Sequence, residues 1–509
     1  MFQSILYKSK IEQNNNSPYF FKDLNLDQII NKILQDNNEY NLSSIFYTPL
    51  TTIEDVLYRQ DILKDLDNKE VFTLYDTFSK TIYKLSSELK AFSKEYEEKQ
   101  KDSTSYINQG HMLYYAELYT SSITKLLEEV SVLPIKSEGL SLFNSYLEEY
   151  TKAPFFSSFI EETKKIRDVF SSLEYCLFIK NGVIKVHKYN NEKDNKNESL
   201  SLFEKFIEKD SKDYLQSFPD RPHSEHIENK ILNLLEKIYP KEFALLTSYF
   251  TSFVNFVDDT IYTFSKEMRF YIAWDNYIDN IKDQGFSFCY PSIEESKNDI
   301  YAYSFFDLAL EEKLKKKTIT NDFTLEGDER IFVITGPNQG GKTTFARSFG
   351  ELFYLTSLGL SVPGTKASLP LCDKILTHFE KEENFTNQRG KLQDDIERLH
   401  TIIEEASENS VIIVNEIYAS TTLQDALKLG NLMMDKFSQK KSICVVVTFM
   451  DELAKHGSDT VSLMSNVVSD EGKERTYKIL RRPPDGIAHA LFIAEKYNLT
   501  YENIKRRLL

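Results

Sequence analysis

The stretch that most limits what this chain can fold into runs from Glu329 to Arg347, ERIFVITGPNQGGKTTFAR. Ile331-Phe332-Val333-Ile334 is a β-branched and aromatic run of the kind that forms a short buried strand. It opens directly into Gly336-Pro337-Asn338-Gln339-Gly340-Gly341-Lys342-Thr343, which fits the phosphate-loop pattern of a glycine, four residues and then Gly-Lys-Thr. After Thr344, the residues Phe345, Phe349, Leu352 and Phe353 fall at helical spacing. Strand, glycine-rich loop and helix, in that order, is the context this pattern needs to hold phosphate. The glycines let backbone N–H groups curl around phosphate oxygens, and the helix N-terminus adds partial positive charge. Lys342 is expected to reach the β- and γ-phosphates, and Thr343 to offer its hydroxyl to Mg²⁺. ATP and Mg²⁺ are therefore the expected cofactors.

Two further strand-like runs follow at the rhythm of an α/β nucleotide-binding domain: Val411–Val414 and Ser442–Thr448. The first ends in Asn415-Glu416. In phosphate-loop ATPases an acidic residue at the first of these positions helps hold Mg²⁺, and an adjacent glutamate orients and activates water. Glu416 suits the second task. Asn415 can bond a metal-bound water but brings no charge. The other strand ends at Thr448-Phe449, where Thr448 can sense a γ-phosphate and Phe449 can neither accept nor donate a proton. Between the Ile331–Ile334 strand and Val411–Val414, Gly390-Lys391-Leu392-Gln393-Asp394-Asp395 opens a helix running to Ala406, and its start is either an anion site or an ordinary helix cap.

The rest of the 509 residues reads as mainly helical. Gly and Pro are scarce, at 16 and 13, while Phe and Tyr number 36 and 30, which favours long helices over a turn-rich β fold. Phe20–Leu34 is a short helix candidate. Thr51 or Thr52 is a plausible N-cap for a helix through Leu66, with Glu54 and Asp55 in its first turn. Helical spacing continues from about 68 to 175. Two β-prone runs then flank Asn181-Gly182, a hairpin signal. Lys241 to Ile281 reads as one long helix, a rod of about 60 Å. His223 and His226 form a His-x-x-His pair with too few partners for a metal site. The four cysteines are far apart and read as reduced thiols. With no signal-like N-terminus and no apolar run of about 18 residues, the expected location is cytoplasmic, with no membrane span. The net charge of −16 means that nucleic acid, if bound, is held by a local basic surface or an enclosing shape.

The residues resemble one family. GPNQGGKTT is similar to the phosphate loop of the MutS family, whose Gly-Pro-Asn-x-Gly-Gly-Lys-Ser/Thr-Thr form is narrower than the general pattern. Gly359 to Gly364, Cys372 to Thr377, Gly390 to Asp395, Asn415-Glu416-Ile417 with Thr421-Thr422, and Asp485-Gly486 through Arg506 resemble that family's later segments in order. Pro49-Leu50 to Arg59-Gln60 resembles the start of its helical core. The resemblance is strong over 320–509 and weaker over 40–310. It implies an ABC-type P-loop ATPase domain over 320–509, preceded by a helical core and lever or clamp region over 39–310 and an N-terminal segment over 1–38. It further implies a short form without the N-terminal mismatch-binding domain, and a homodimer that closes around nucleotide. Gly390 and Lys391 would then face the partner's phosphate loop, the levers would enclose DNA, and the hairpin near Asn181-Gly182 would lie near the clamp tip. Three positions depart from the family pattern. Asn415 stands for the Walker B aspartate, Phe449 for a switch histidine, and Gly390-Lys391 for a serine-containing signature. The reading is an ATP-dependent, DNA-binding ATPase of repair or recombination. The alternative is a nucleotide-gated scaffold with little hydrolysis, acting on a protein or on a ribosomal or RNA partner.

Overall fold

Secondary structure follows the sequence signals closely at the strands and capped helix starts. The structure, a computed structural model, describes residues 2–8, 11–98, 105–180, 183–190, 225–293, 299–314, 318–380, 390–418, 420–467, 475–485 and 499–508. In chain order come α1 (Leu26–Asp36), α2 (Ser43–Phe46), α3 (Ile53–Leu66), α4 (Lys69–Glu98), α5 (Tyr106–Val130), α6 (Glu138–Lys152) and α7 (Pro154–Ser171). The hairpin β1 (Tyr175–Lys180) and β2 (Val183–Lys188) precedes α8 (Glu225–Ile238), α9 (Pro240–Phe253) and α10 (Asp259–Lys282). Sheet then enters, with β3 (Phe288–Cys289), β4 (Asp299–Phe305), α11 (Leu308–Leu314), β5 (Asn321–Glu326), β6 (Ile331–Thr335), α12 (Lys342–Ser357), β7 (Val362–Pro363), β8 (Lys366–Ser368) and β9 (Ile375–His378). The chain closes with α13 (Lys391–Glu405), β10 (Val411–Asn415), α14 (Leu423–Lys440), β11 (Ile443–Val447), β12 (Thr460–Val467), β13 (Arg475–Arg481) and α15 (Tyr501–Leu508). A mostly helical region thus precedes a sheet-containing C-terminal part.

The chain divides into two units. One comprises residues 1–3, 69–135 and 141–266, the other residues 4–68, 136–140 and 267–509. In the first unit, β1 and β2 pair antiparallel from Tyr175↔Lys188 to Lys180↔Val183. The hairpin expected there is present, although its turn residues Asn181 and Gly182 lie outside the described residues, as do His223 and the segment 191–224. The single helix expected over 241–281 is instead two, α9 and α10, separated at residues 254–258. Asp258 is the reason. Its Oδ1 accepts from the backbone N–H groups of Thr260 (2.9 Å) and Ile261 (3.0 Å) and from Tyr146 Oη (2.9 Å). An aspartate used this way satisfies the orphan donors of a new helix start, so a new helix begins where the apolar stripe alone suggested continuity. The 24 residues of α10 span about 36 Å rather than the 60 Å expected.

In the second unit, Thr52 caps α3 by accepting from Asp55 N at 3.2 Å. The main sheet has the order β13-β12-β6-β11-β10-β9. Its neighbours pair in parallel except for β13, which runs antiparallel to β12. Strands β6, β10 and β11 are buried at every position, which explains why they read as continuous apolar runs rather than alternating ones. Helix α12 is buried along almost its whole length. Phe349 sits with ring centroids 4.9, 6.0 and 5.0 Å from Phe323, Phe332 and Phe353. Burying each such ring stabilises the fold by about 1.5–3 kcal/mol. The C-terminal end of α12 is held by Arg59, whose Nη1 donates to Leu358 O (2.8 Å) and whose Nε donates to Leu6 O (3.0 Å). A cation there also suits the helix dipole. Because β6, β10 and β11 are parallel and in register (Val447↔Ile334, Asn415↔Val447), the loops that follow them emerge on one edge. Among the described residues no helix is long and apolar enough to cross a membrane.

Candidate functional site

That edge carries the loop between β6 and α12. Gly336 (φ +108°) and Gly341 (φ +94°) both take left-handed backbone conformations. A Cβ on Gly336 would lie 2.6 Å from Ser465 Oγ, and one on Gly341 would lie 3.3 Å from Tyr477 O. Only glycine allows the loop to turn this tightly against β12 and β13. The Lys342 side chain curls back over the loop, and its Nζ donates to Gly336 O (2.7 Å), Pro337 O (3.2 Å) and Asn338 Oδ1 (3.2 Å). Gly340 N closes a turn onto Pro337 O at 3.2 Å.

Thr343 Oγ1 donates to Asn415 Oδ1 at 3.0 Å, which joins the start of α12 to the end of β10 across 72 residues of sequence. Glu416, the next residue, has φ +54° and is pinned by its N–H to Val447 O at 2.9 Å. A cavity of about 800 Å³ is lined by Gln339, Gly341, Lys342, Thr343, Thr344 and Glu416. Its opposite walls come from two places the sequence did not single out. Leu310, Leu314, Thr318, Ile319 and Asn321 lie just before β6, and Thr476 and Tyr477 lie on the edge strand β13. The one local signal was the apolar character of Leu310, Leu314 and Ile319, which any core helix would share. Tyr477 is half exposed with φ +56°, and Asn321 ties its strand down by accepting from Ile479 N at 2.8 Å.

The wall helix α11 is held to α12 by the carboxylate of Glu351 and capped by that of Asp307. Glu351 Oε2 accepts from Leu308 N (3.1 Å) and Asp307 Oδ1 from Leu310 N (2.7 Å). Burial pushes Asp307 up to about 6, and burial followed by the charge of Asp307 pushes Glu351 well above the usual carboxylate range.

The remaining sequence-selected positions lie elsewhere on the same domain. Thr448 is buried at the end of β11, its N–H on Ile334 O (3.1 Å) and its Oγ1 accepting from Met450 N (3.1 Å). Phe449 beside it is 51% exposed. Gly390 caps α13 through its carbonyl, which accepts from Gln393 N (3.0 Å) and Asp394 N (3.2 Å), and Lys391 pairs with Glu380. Gly390, Lys391, Thr448 and Phe449 are not among the described residues lining the cavity.

The residues present fit a nucleotide. Left-handed glycines, a helix N-terminus and a lysine amine surround one end of a cavity large enough for a base and sugar at the other. For a divalent cation the donors are the Thr343 hydroxyl and the Asn415 amide oxygen, both hard oxygens suited to Mg²⁺ but both uncharged. Among the described residues no cluster of three or more His, Cys, Asp or Glu side chains is placed to hold a metal by itself.

The family model for MutS domain V, the family's ATPase domain, matches residues 332–495. A 193-residue segment is 25% identical to the MutS protein homolog him-14 of Caenorhabditis elegans, covering 37% of this chain and 23% of that protein. A 182-residue segment is 27% identical to the DNA mismatch repair protein MutS of Thermotoga sp. (strain RQ2), covering 35% of this chain and 22% of that protein. The match therefore spans less than a quarter of the length of either relative. Residues 332–495, which carry the loop and the β10 edge described above, are thus similar to the ATPase domain of the MutS family.

Proposed function

We propose that the chain is a slow ATPase that binds DNA as a homodimeric clamp in DNA repair or recombination. The observation that carries the reading is the Thr343–Asn415 contact, with Lys342 and Glu416 lining one cavity. In this reading the backbone N–H groups of residues 336–344 and the Lys342 amine bind the phosphates of ATP. Thr343 and Asn415 hold Mg²⁺, which when bound neutralises phosphate charge. Glu416 orients water and takes its proton. Gly390 and Lys391 serve the partner's site, and Thr448 and Phe449 occupy the switch position. DNA is held by shape and by backbone charge without sequence preference.

A second reading is a nucleotide-gated scaffold with little hydrolysis, acting on a protein or on a ribosomal or RNA partner. The uncharged Asn415, the half-exposed Phe449 and the net charge of −16 favour it.

Steady-state ATP hydrolysis with and without duplex and branched DNA separates the two. Turnover that DNA alters, and that Lys342→Ala and Glu416→Gln each abolish, supports the clamp ATPase. Tight ATP binding without turnover, and no DNA binding at low salt, refutes it in favour of the scaffold.

A further inference from the structure

The end of β10 presents an amide where a cation would need charge. Asn415 is buried, and its Oδ1 accepts the hydroxyl of the cavity-lining Thr343 at 3.0 Å, so two neutral oxygens meet beside the phosphate loop. Among the described residues lining that cavity, Lys342 carries the positive side-chain charge and Glu416 the negative one. These two formal charges cancel. What is left is the partial positive charge of the α12 N-terminus and the inward N–H groups of the loop, which favour a polyphosphate whether or not a metal accompanies it.

We propose that this site binds a nucleoside triphosphate nearly as well without a divalent cation as with one, and that Asn415 sets this property. The proposal rests on the nucleotide reading given above and concerns its cation dependence. A carboxylate at position 415 would act twice. It would attract a cation across the Thr343 hydroxyl, and it would repel a metal-free polyphosphate placed on the same loop. Both effects make binding conditional on the metal, and both are strong in a partly enclosed site where charges are poorly screened. The amide removes both while keeping the hydrogen bond to Thr343. Glu416 then supplies whatever cation preference remains. Its backbone is fixed in the left-handed region by the bond to Val447 O, so it is one residue along from the position a charged ligand at 415 would occupy.

Fluorescence anisotropy of methylanthraniloyl-ATP tests this on the full chain, titrated in Mg²⁺ and in EDTA. For the unaltered protein, the affinity gain from Mg²⁺ is expected to stay below about threefold. Asn415→Asp is expected to raise it above about tenfold, mainly by weakening binding in EDTA, and Glu416→Gln to remove the residual gain. A gain above about tenfold in the unaltered protein, left unchanged by Asn415→Asp, overturns the proposal. Absence of binding in both buffers, with Lys342→Ala indistinguishable from the unaltered protein, refutes the nucleotide reading itself. Thermal unfolding of Asn415→Asp checks that it folds. If it does not, the Mg²⁺-to-EDTA ratio of the unaltered protein still decides.

Discussion

Replacing Glu351 with Gln is expected to make the protein more stable at neutral pH, although it alters a residue in the middle of the core. Glu351 lies on α12 and is fully buried. Its Oε2 accepts from Leu308 N, while its Oε1 is buried without a hydrogen-bond partner. Arg347 is the cation nearest in sequence on that helix, but its Nε is turned to Asp23 O. Desolvation therefore outweighs Arg347, and the folded protein keeps Glu351 protonated well above the ordinary carboxylate value of 4.5. The unfolded chain gives up that proton near 4.5. Stability from this group is thus fully present below pH 4.5 and is lost as the pH rises. Above pH 4.5 the unfolded chain releases this proton while the folded protein keeps it, so each further pH unit costs the folded state up to about 1.4 kcal/mol until the group ionises in place. Gln keeps the acceptor for Leu308 N and needs no proton. Urea unfolding followed by the fluorescence of Trp274, the one tryptophan and a buried residue of the same unit, measures the difference. Glu351→Gln is expected to gain stability at pH 7 relative to pH 4, by about 1 kcal/mol or more. A variant destabilised by the same amount at both pH values would refute the reasoning, because it would mean that Glu351 is ionised and paired in the folded state.

Two other perturbations test the packing and the helix break. Phe349→Ala removes the ring that touches Phe323, Phe332 and Phe353 and is expected to cost about 3–5 kcal/mol in the same unfolding assay. Asp258→Ala removes the cap of α10 together with its bond from Tyr146, and is expected to cost about 1–2 kcal/mol with slight loss of helical circular dichroism. Equal stability of Asp258→Ala and the unaltered protein would mean that the break between α9 and α10 has another cause.

Much of the site was legible because its parts are local. Strand, loop and helix around Gly336–Thr343 follow one another without interruption, and glycine at 336 and 341 answers a backbone need that no other residue meets. Asn415 and Glu416 were legible as the end of a buried strand. The cavity walls were not. Tyr477 and Thr476 reach the loop only because β13 pairs with β12 and β12 with β6. Leu310 and Leu314 reach it because Glu351 on α12 holds the start of α11, which Asp307 caps. Nor was the break before α10 legible, since an apolar stripe at helical spacing continues through Asp258 and only the bonds made by its carboxylate end one helix and begin another.

By itself the sequence determined which segments become strands and capped helices, and where the glycine-rich turn between strand and helix falls, because those outcomes depend on backbone preferences and on neighbours within a few residues. Tertiary structure decided what faces that loop. Parallel pairing in register brings the ends of β6, β10 and β11 to one edge, so Thr343 meets Asn415 across 72 residues. Burial then sets the protonation of Asp307 and Glu351, since desolvation depends on everything packed around a group and not on its place in the chain.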